Sequence, residues 1–106
     1  MSSSKTITKA DDLLDNVHPG MILREDFLIG SAVPLEEVIE GTGLSAERLR
    51  ALLDAREPID AAADIRLARY LGMSEGFFLG LQIDYDLEEE RRAHGEELDT
   101  ISRRAA

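Results

Sequence analysis

The sequence predicts an all-α fold arranged as one domain. Three observations carry this. The chain has 106 residues, 43% of them hydrophobic, which suits a single domain with a modest core. From His18 onward, apolar residues recur three and four positions apart, the helical period. No alternating β-branched run or Asn-Gly hairpin signal occurs, so no sheet is expected.

Five helices are predicted, each with its own punctuation. The first opens at His18-Pro19-Gly20, where a proline in the first turn costs no hydrogen bond. Ile22, Leu23 and Phe27 form its inward stripe, Arg24, Glu25 and Asp26 face out, and Gly30-Ser31 ends it. The second opens at Pro34, buries Leu35, Val38 and Ile39, and stops at Gly41-Thr42-Gly43. The third is capped by Ser45; Leu49, Leu52 and Leu53 face inward, while Arg48, Arg50 and Ala51 point elsewhere. The fourth is capped by Asp60 and runs to Leu71, with Ala61, Asp64/Ile65, Ala68 and Leu71 as its stripe and Gly72 in the left-handed closing position. The fifth opens at Ser74 and reaches about Arg92 through Phe77, Phe78, Leu81 and Tyr85.

The domain is expected over residues 17–93. Residues 1–16 are read as a flexible N-terminal arm and 94–106 as a mobile polar tail. The polar stretch Met1–Asp12 is not a signal peptide, and no run approaches the ~18 apolar residues of a membrane span. The chain is expected to be cytoplasmic.

Charge and composition narrow the function. There is no cysteine and the formal charge is −10. Disulfides, thiolate metal sites and cysteine nucleophiles are therefore excluded. His18 and His94 lie too far apart to suggest a metal site, and His18 reads as a turn residue at a helix entrance. Acid pairs such as Glu36-Glu37 read as solvated helix faces. No glycine-rich phosphate loop is present. No catalytic residue, cofactor or metal is expected, and an enzyme is not. Asp84 to Asp99 holds eight acids against two arginines, a local balance of −6. Such a surface suits a basic protein partner and disfavours phosphate.

Pro34 to Arg56 carries the most information. Two short helices flank Gly43-Leu44-Ser45, the pattern of a helix-turn-helix. Gly43 permits the turn, Leu44 plugs the core and Ser45 caps the second helix. Ser45, Ala46, Glu47, Arg48, Arg50 and Arg56 are left as candidate DNA contacts. An arginine bidentate to guanine discriminates by about 1–3 kcal/mol. Phe77, Phe78, Leu81 and Tyr85 form a stripe broad enough to serve as a two-fold dimer contact.

The run His18-Pro19-Gly20-Met21-Ile22-Leu23-Arg24-Glu25-Asp26-Phe27-Leu28 resembles the opening of HigA-type antitoxins, the VapI or plasmid-maintenance antidote proteins of the Cro/C1-like (XRE) group. Gly43-Leu44-Ser45, Leu52 to Arg56, Ile59 to Gly72 and Ser74 to Leu87 resemble later parts of that family in the same order. The resemblance covers about residues 17–88. It implies a five-helix lambda-repressor-like domain and a homodimer. It also implies autorepression at operator DNA and a basic RelE/HigB-like toxin, an mRNA-cleaving ribonuclease, as partner.

The DNA face departs from the family pattern. Leu35 stands where a phosphate-binding glutamine is usual, and Ile39 stands where a small alanine is usual. Glu36, Glu37, Glu40 and Glu47 make the surroundings acidic. A second reading follows, in which the helix-turn-helix is a scaffold for protein interaction and DNA binding is weakened or lost.

Overall fold

The computed structural model describes residues 14–105; Ile7, Leu13 and most of the expected arm lie outside them. Five helical units follow in order. Helix α1 (Pro19–Ile22) continues without a break into a π-helical stretch (Leu23–Ile29). Then come α2 (Leu35–Thr42), α3 (Ala46–Leu53), α4 (Ala61–Leu71) and α5 (Phe77–Leu98).

His18 opens α1 as its cap. Its backbone is extended, and its Nδ1 accepts from the Gly20 N–H at 2.9 Å. Gly20 then lies on the end of α3. A Cβ there would sit 1.8 Å from the Leu52 carbonyl oxygen, so only glycine allows this approach. The π stretch changes which side chains face inward. Its wider turn closes hydrogen bonds five residues apart, as between the Gly30 N–H and the Glu25 oxygen at 3.2 Å. Leu23 and Leu28 are therefore buried together, while Ile22 and Phe27 are half-buried. The 3.6-residue period had placed Ile22, Leu23 and Phe27 inward; Leu28 replaces Ile22 because the local period is longer.

Helix α2 begins one residue later than expected, with Pro34 as its extended N-cap. It runs through Gly41, which does not stop it, and closes at Gly43 with φ +77°. Gly41 has a packing reason: a Cβ would lie 2.2 Å from the Tyr70 ring of α4. In α3 the Ser45 hydroxyl accepts from the Arg48 N–H at 3.0 Å. Ala51 is buried with Leu49, Leu52 and Leu53, contrary to its expected outward position. All four positions pack inward because α3 is covered on two sides, by α1 and by α2.

Asp60 caps α4 by accepting from the Ala63 N–H at 3.0 Å, and Gly72 closes it with φ +74°. The buried face is Ala63, Asp64, Leu67 and Ala68; Ala61 and Ile65 are exposed. The stripe is rotated because Asp64 turns inward. Its carboxylate, 2% exposed, accepts from the Gly76 N–H at 2.5 Å and the Leu79 N–H at 2.8 Å. It thereby caps α5 from a neighbouring helix. Ser74 makes no such cap, and α5 starts three residues later than expected, at Phe77.

Helix α5 has 22 residues and passes Arg92 to end at Leu98. The region read as a tail from His94 is thus partly helical, with one irregular residue at His94 (φ −131°, ψ 27°). Ion pairs from Glu88 to Arg91 (3.5 Å) and Arg92 (2.8 Å) support the outer turns. The end of the arm is also held. Asn16 donates to the Tyr85 carbonyl at 3.0 Å and to Glu89 at 3.1 Å, and Arg92 donates to the Leu14 carbonyl at 2.7 Å.

The core gathers Leu23, Leu28, Val38, Leu44, Leu49, Leu52, Ile59, Leu67 and Phe78. Phe78 meets Phe27 edge-on at 5.2 Å and Phe77 at 5.1 Å, the geometry ring quadrupoles favour. Among the described residues no helix is long and apolar enough to cross a membrane.

Candidate nucleic-acid interface

Helices α2 and α3 meet at a turn built by three residues. Thr42 Oγ1 donates to the Val38 carbonyl at 2.6 Å and accepts from the Leu44 N–H at 3.1 Å. Arg66 of α4 donates to the Thr42 carbonyl at 2.8 Å, satisfying one of the carbonyls left open at the end of α2. Gly43 is required by its positive φ; a Cβ there would meet only the end of the flexible Arg66 side chain. The turn therefore fixes α3 against α2 with its outer face open.

Five of the six expected contact residues come together there. Ser45, Glu47, Arg48, Arg50 and Arg56 line one shallow depression of about 530 Å³, with Ala51 and Glu57. Ala46 is half-buried at the first turn of α3.

The arginines are not equivalent. Arg48 forms an ion pair with Glu57 and a second with Asp60 at 3.2 Å, and donates to the Pro58 carbonyl at 3.2 Å. It is a clamp on the loop between α3 and α4. The Ala63 N–H and then Arg48 hold the Asp60 carboxyl below the usual carboxylate range. Arg56 lies 3.5 Å from Asp54 and is exposed. Arg50 is exposed, and among the described residues it has no ion-pair partner. It is the cation on α3 best placed to leave the protein surface. Glu47 lines the same depression, and Glu36 and Glu37 are exposed in the first turn of α2.

Sequence reasoning missed the partners of Arg48. Glu57 and Asp60 lie nine and twelve residues away across an irregular loop, where no periodic rule applies. It also missed Arg24, which pairs with Asp54 at 3.8 Å. Arg24 and Arg50 flank an apolar groove of about 540 Å³ floored by Leu28, Val33 and Leu35.

The expected dimer stripe is mostly an inner face. Phe78 is fully buried in its own chain, and Leu81 and Tyr85 are half-buried. Tyr85 packs edge-on against His18 at 5.0 Å. Phe77, 37% exposed, is the member left at the surface. The core takes the stripe because Asp64 and Gln82 pin this side of α5 to α4 and to the preceding loop. Gln82 Oε1 accepts from the Ile59 N–H at 2.8 Å. Among the described residues no three metal-capable side chains converge.

No family model matches the chain. Its similarity to Virulence-associated protein I of Dichelobacter nodosus is 31% identity over 71 residues, covering 67% of this chain and 66% of that protein. The chain thus spans just under two thirds of that relative. Among solved structures it resembles PA4674 of Pseudomonas aeruginosa, solved in complex with its operator DNA. The identity is 30% and the TM-score 0.79, over 85% of this chain and 96% of that one. It also resembles the Pseudomonas aeruginosa antitoxin HigA solved with the higBA promoter. Here the values are 27% and 0.77, over 87% of this chain and 100% of that one. The chain belongs to the HigA-type antitoxin family.

Its five-helix, repressor-like helix-turn-helix fold is the one the sequence led us to expect. Within this HigA-type domain the two departures at α2 acquire a physical meaning. Leu35 and Ile39 are both half-buried and pack against the core. The glutamine usual at the first position would present a donor at the surface; Leu35 instead contributes an apolar wall to the groove beside Arg50.

Proposed function

We propose that this chain is an antitoxin that binds operator DNA through α3 and represses its own operon. Its partner in this reading is a basic RelE/HigB-like toxin. The observation that carries the DNA half is the gathering of Ser45, Glu47, Arg48, Arg50 and Arg56 on one open face of a helix-turn-helix. The likeness to two proteins solved with operator or promoter DNA supports it. Arg50 reads a base, Arg56 meets phosphate, and Ser45 and Ala46 approach the backbone. A homodimer would set two α3 helices about 34 Å apart on one face of the duplex. The domain of residues 17–93 carries this activity.

The test is a titration against DNA from upstream of the gene, beside scrambled DNA, at two salt concentrations. Selective binding that weakens with salt is the expected result. Equal affinity for both DNAs, even at low salt, would remove the repressor reading.

A second reading, a protein-interaction scaffold without DNA binding, is favoured by one observation. Arg48 is already paired with Glu57 and Asp60, and the carboxylates Glu36, Glu37 and Glu47 are exposed in the first turns of α2 and α3. The same titration separates the two.

A further inference from the structure

Two depressions meet at Arg50. One carries Ser45, Arg48 and Arg56; the other is the apolar groove floored by Leu28, Val33 and Leu35. Arg50 lines both, so they form one surface from the α3–α4 loop across α3 to the π-helical stretch. The charged residues lining the groove are Arg24, Arg50 and Asp54. Glu25, Asp26, Glu36 and Glu37 are exposed but do not line it, and Glu47 lies in the other depression. Asp54 is shared. Arg24 lies 3.8 Å from one of its oxygens and Arg56 lies 3.5 Å from the other. Three guanidinium groups thus gather about one carboxylate, three positive charges against one negative, on a chain whose formal charge is −10. Counting Glu47 as well still leaves a positive balance. The Arg24 and Asp54 side chains are 46% and 51% exposed, so water and salt compete with their pairing.

We infer that Arg24 is a DNA contact: the groove seats one sugar–phosphate strand beside α3, Arg24 takes a phosphate in place of Asp54, and the sugar lies against Val33 and Leu35. The inference rests on the operator-binding reading and extends that site to the π-helical stretch. It also gives Leu35 a part. A glutamine at that position would offer phosphate a neutral donor. Here an apolar side chain lines the same groove as Arg24, so the phosphate contact passes from α2 to the guanidinium. A guanidinium brings a full charge and paired donors to phosphate oxygens. The occupant is a strand rather than a free anion because the cations sit on three elements: Arg24 on the π-helical stretch, Arg50 on α3 and Arg56 on the loop after it. A small anion would satisfy one of them. A phosphodiester strand, charged at every nucleotide, meets several.

The experiment titrates the full chain and three variants, Arg24→Gln, Arg24→Lys and Asp54→Asn, against operator and scrambled duplexes over a range of salt. Both positions are exposed, and melting temperatures check that the variants fold. Arg24→Gln is expected to weaken binding to both duplexes by the same factor, about fivefold, the scale of one exposed ion pair. It should also lower the slope of log affinity against log salt by about 0.9 for each protomer bound. Arg24→Lys keeps the charge and should keep the slope. Asp54→Asn should bind both duplexes more tightly, because Arg24 and Arg56 lose a competing carboxylate. A second titration replaces one operator phosphate at a time by a neutral methylphosphonate. One position in each half-site should weaken the unaltered protein and leave Arg24→Gln unchanged. If Arg24→Gln keeps the unaltered affinity and slope, Arg24 does not touch DNA and the operator-binding reading stands. If Asp54→Asn weakens binding as much as Arg24→Gln does, the pair braces the fold and is not a phosphate clamp. If the unaltered chain binds operator and scrambled DNA alike, the operator-binding reading fails and takes this inference with it.

Discussion

The α4–α5 junction and the α3–α4 loop are both tied by polar side chains, in opposite ways. At the junction a buried carboxylate, Asp64, accepts two backbone N–H groups, and Gln82 accepts a third from Ile59. At the loop Arg48 reaches Glu57 and Asp60, whose side chains are 47% and 61% exposed. Burial of the Asp64 carboxylate and of the Ile59–Gln82 pair makes the first arrangement structural, because a buried polar group left without its partner costs its desolvation. Exposure makes the second weak and adjustable, since water and salt compete with each ion pair. The molecule thus holds its rigid frame with buried hydrogen bonds and leaves its candidate DNA face to ion pairs that a ligand can displace.

The sharpest way to break that comparison is at Asp64. Asp64→Ala leaves the Gly76 and Leu79 N–H groups without acceptors. The exposed Gly76 N–H can turn to water, so with about 1–3 kcal/mol for an unsatisfied buried group the expected loss is roughly 1–3 kcal/mol in urea unfolding. Asp64→Asn keeps the shape and one acceptor, so it should lose less. If Asp64→Ala melts like the unaltered protein, the junction is not held as described.

Next in size is the contrast between the two arginines of α3. Arg50→Ala should reduce operator affinity by the worth of one base contact, about 1–3 kcal/mol, and flatten selectivity at one base pair. Arg48→Gln should cost stability less than about 1 kcal/mol and change selectivity little. Conversely, Glu57→Gln/Asp60→Asn frees Arg48 and should raise affinity for any DNA, scrambled DNA included. Titrations of the three variants against operator and scrambled duplexes read all of this. If Arg48→Gln alone abolishes selectivity while Arg50→Ala does not, the assignment is reversed.

What the sequence made legible was local. Ser45, Asp60 and Gly72 were found because a cap and its helix are neighbours in the chain. The fold class followed from five such punctuated periods. The misses each involve a longer reach or a changed period. Leu28 faces inward only because the π stretch adds a residue to the turn. Asp64 was read only as one of two candidates, with Ile65, for the inward stripe of α4, and its two partners lie twelve and fifteen residues on. Phe78 and Ile83 sit on opposite faces of α5, but with apolar residues on both faces the period alone cannot say which one meets the core. Five of the six residues expected at the DNA face, Ser45, Glu47, Arg48, Arg50 and Arg56, share one surface, because they follow from the turn. The pairing of Arg48 was not legible, because its partners are set by the path of an irregular loop.

The smallest effect tests the same contrast at the entrance to α1. His18 is half-buried against Tyr85, and its Nδ1 must be unprotonated to accept from Gly20. Burial pulls its pKa below the ordinary histidine value, and Asp86 partly opposes this. The sign follows directly. Above about pH 6.5 both folded and unfolded chains carry neutral His18, and its contribution is fully present. As pH falls below that value the unfolded chain takes up a proton first, so stability is lost until the folded His18 also protonates. Unfolding followed from pH 7.5 to 5.5 should show this decline, and His18→Asn, which can still cap α1, should remove its share of the slope. If the slope is the same in both proteins, His18 titrates alike folded and unfolded, and its cap behaves as the exposed ion pairs of Arg48 do rather than as the buried bonds of Asp64.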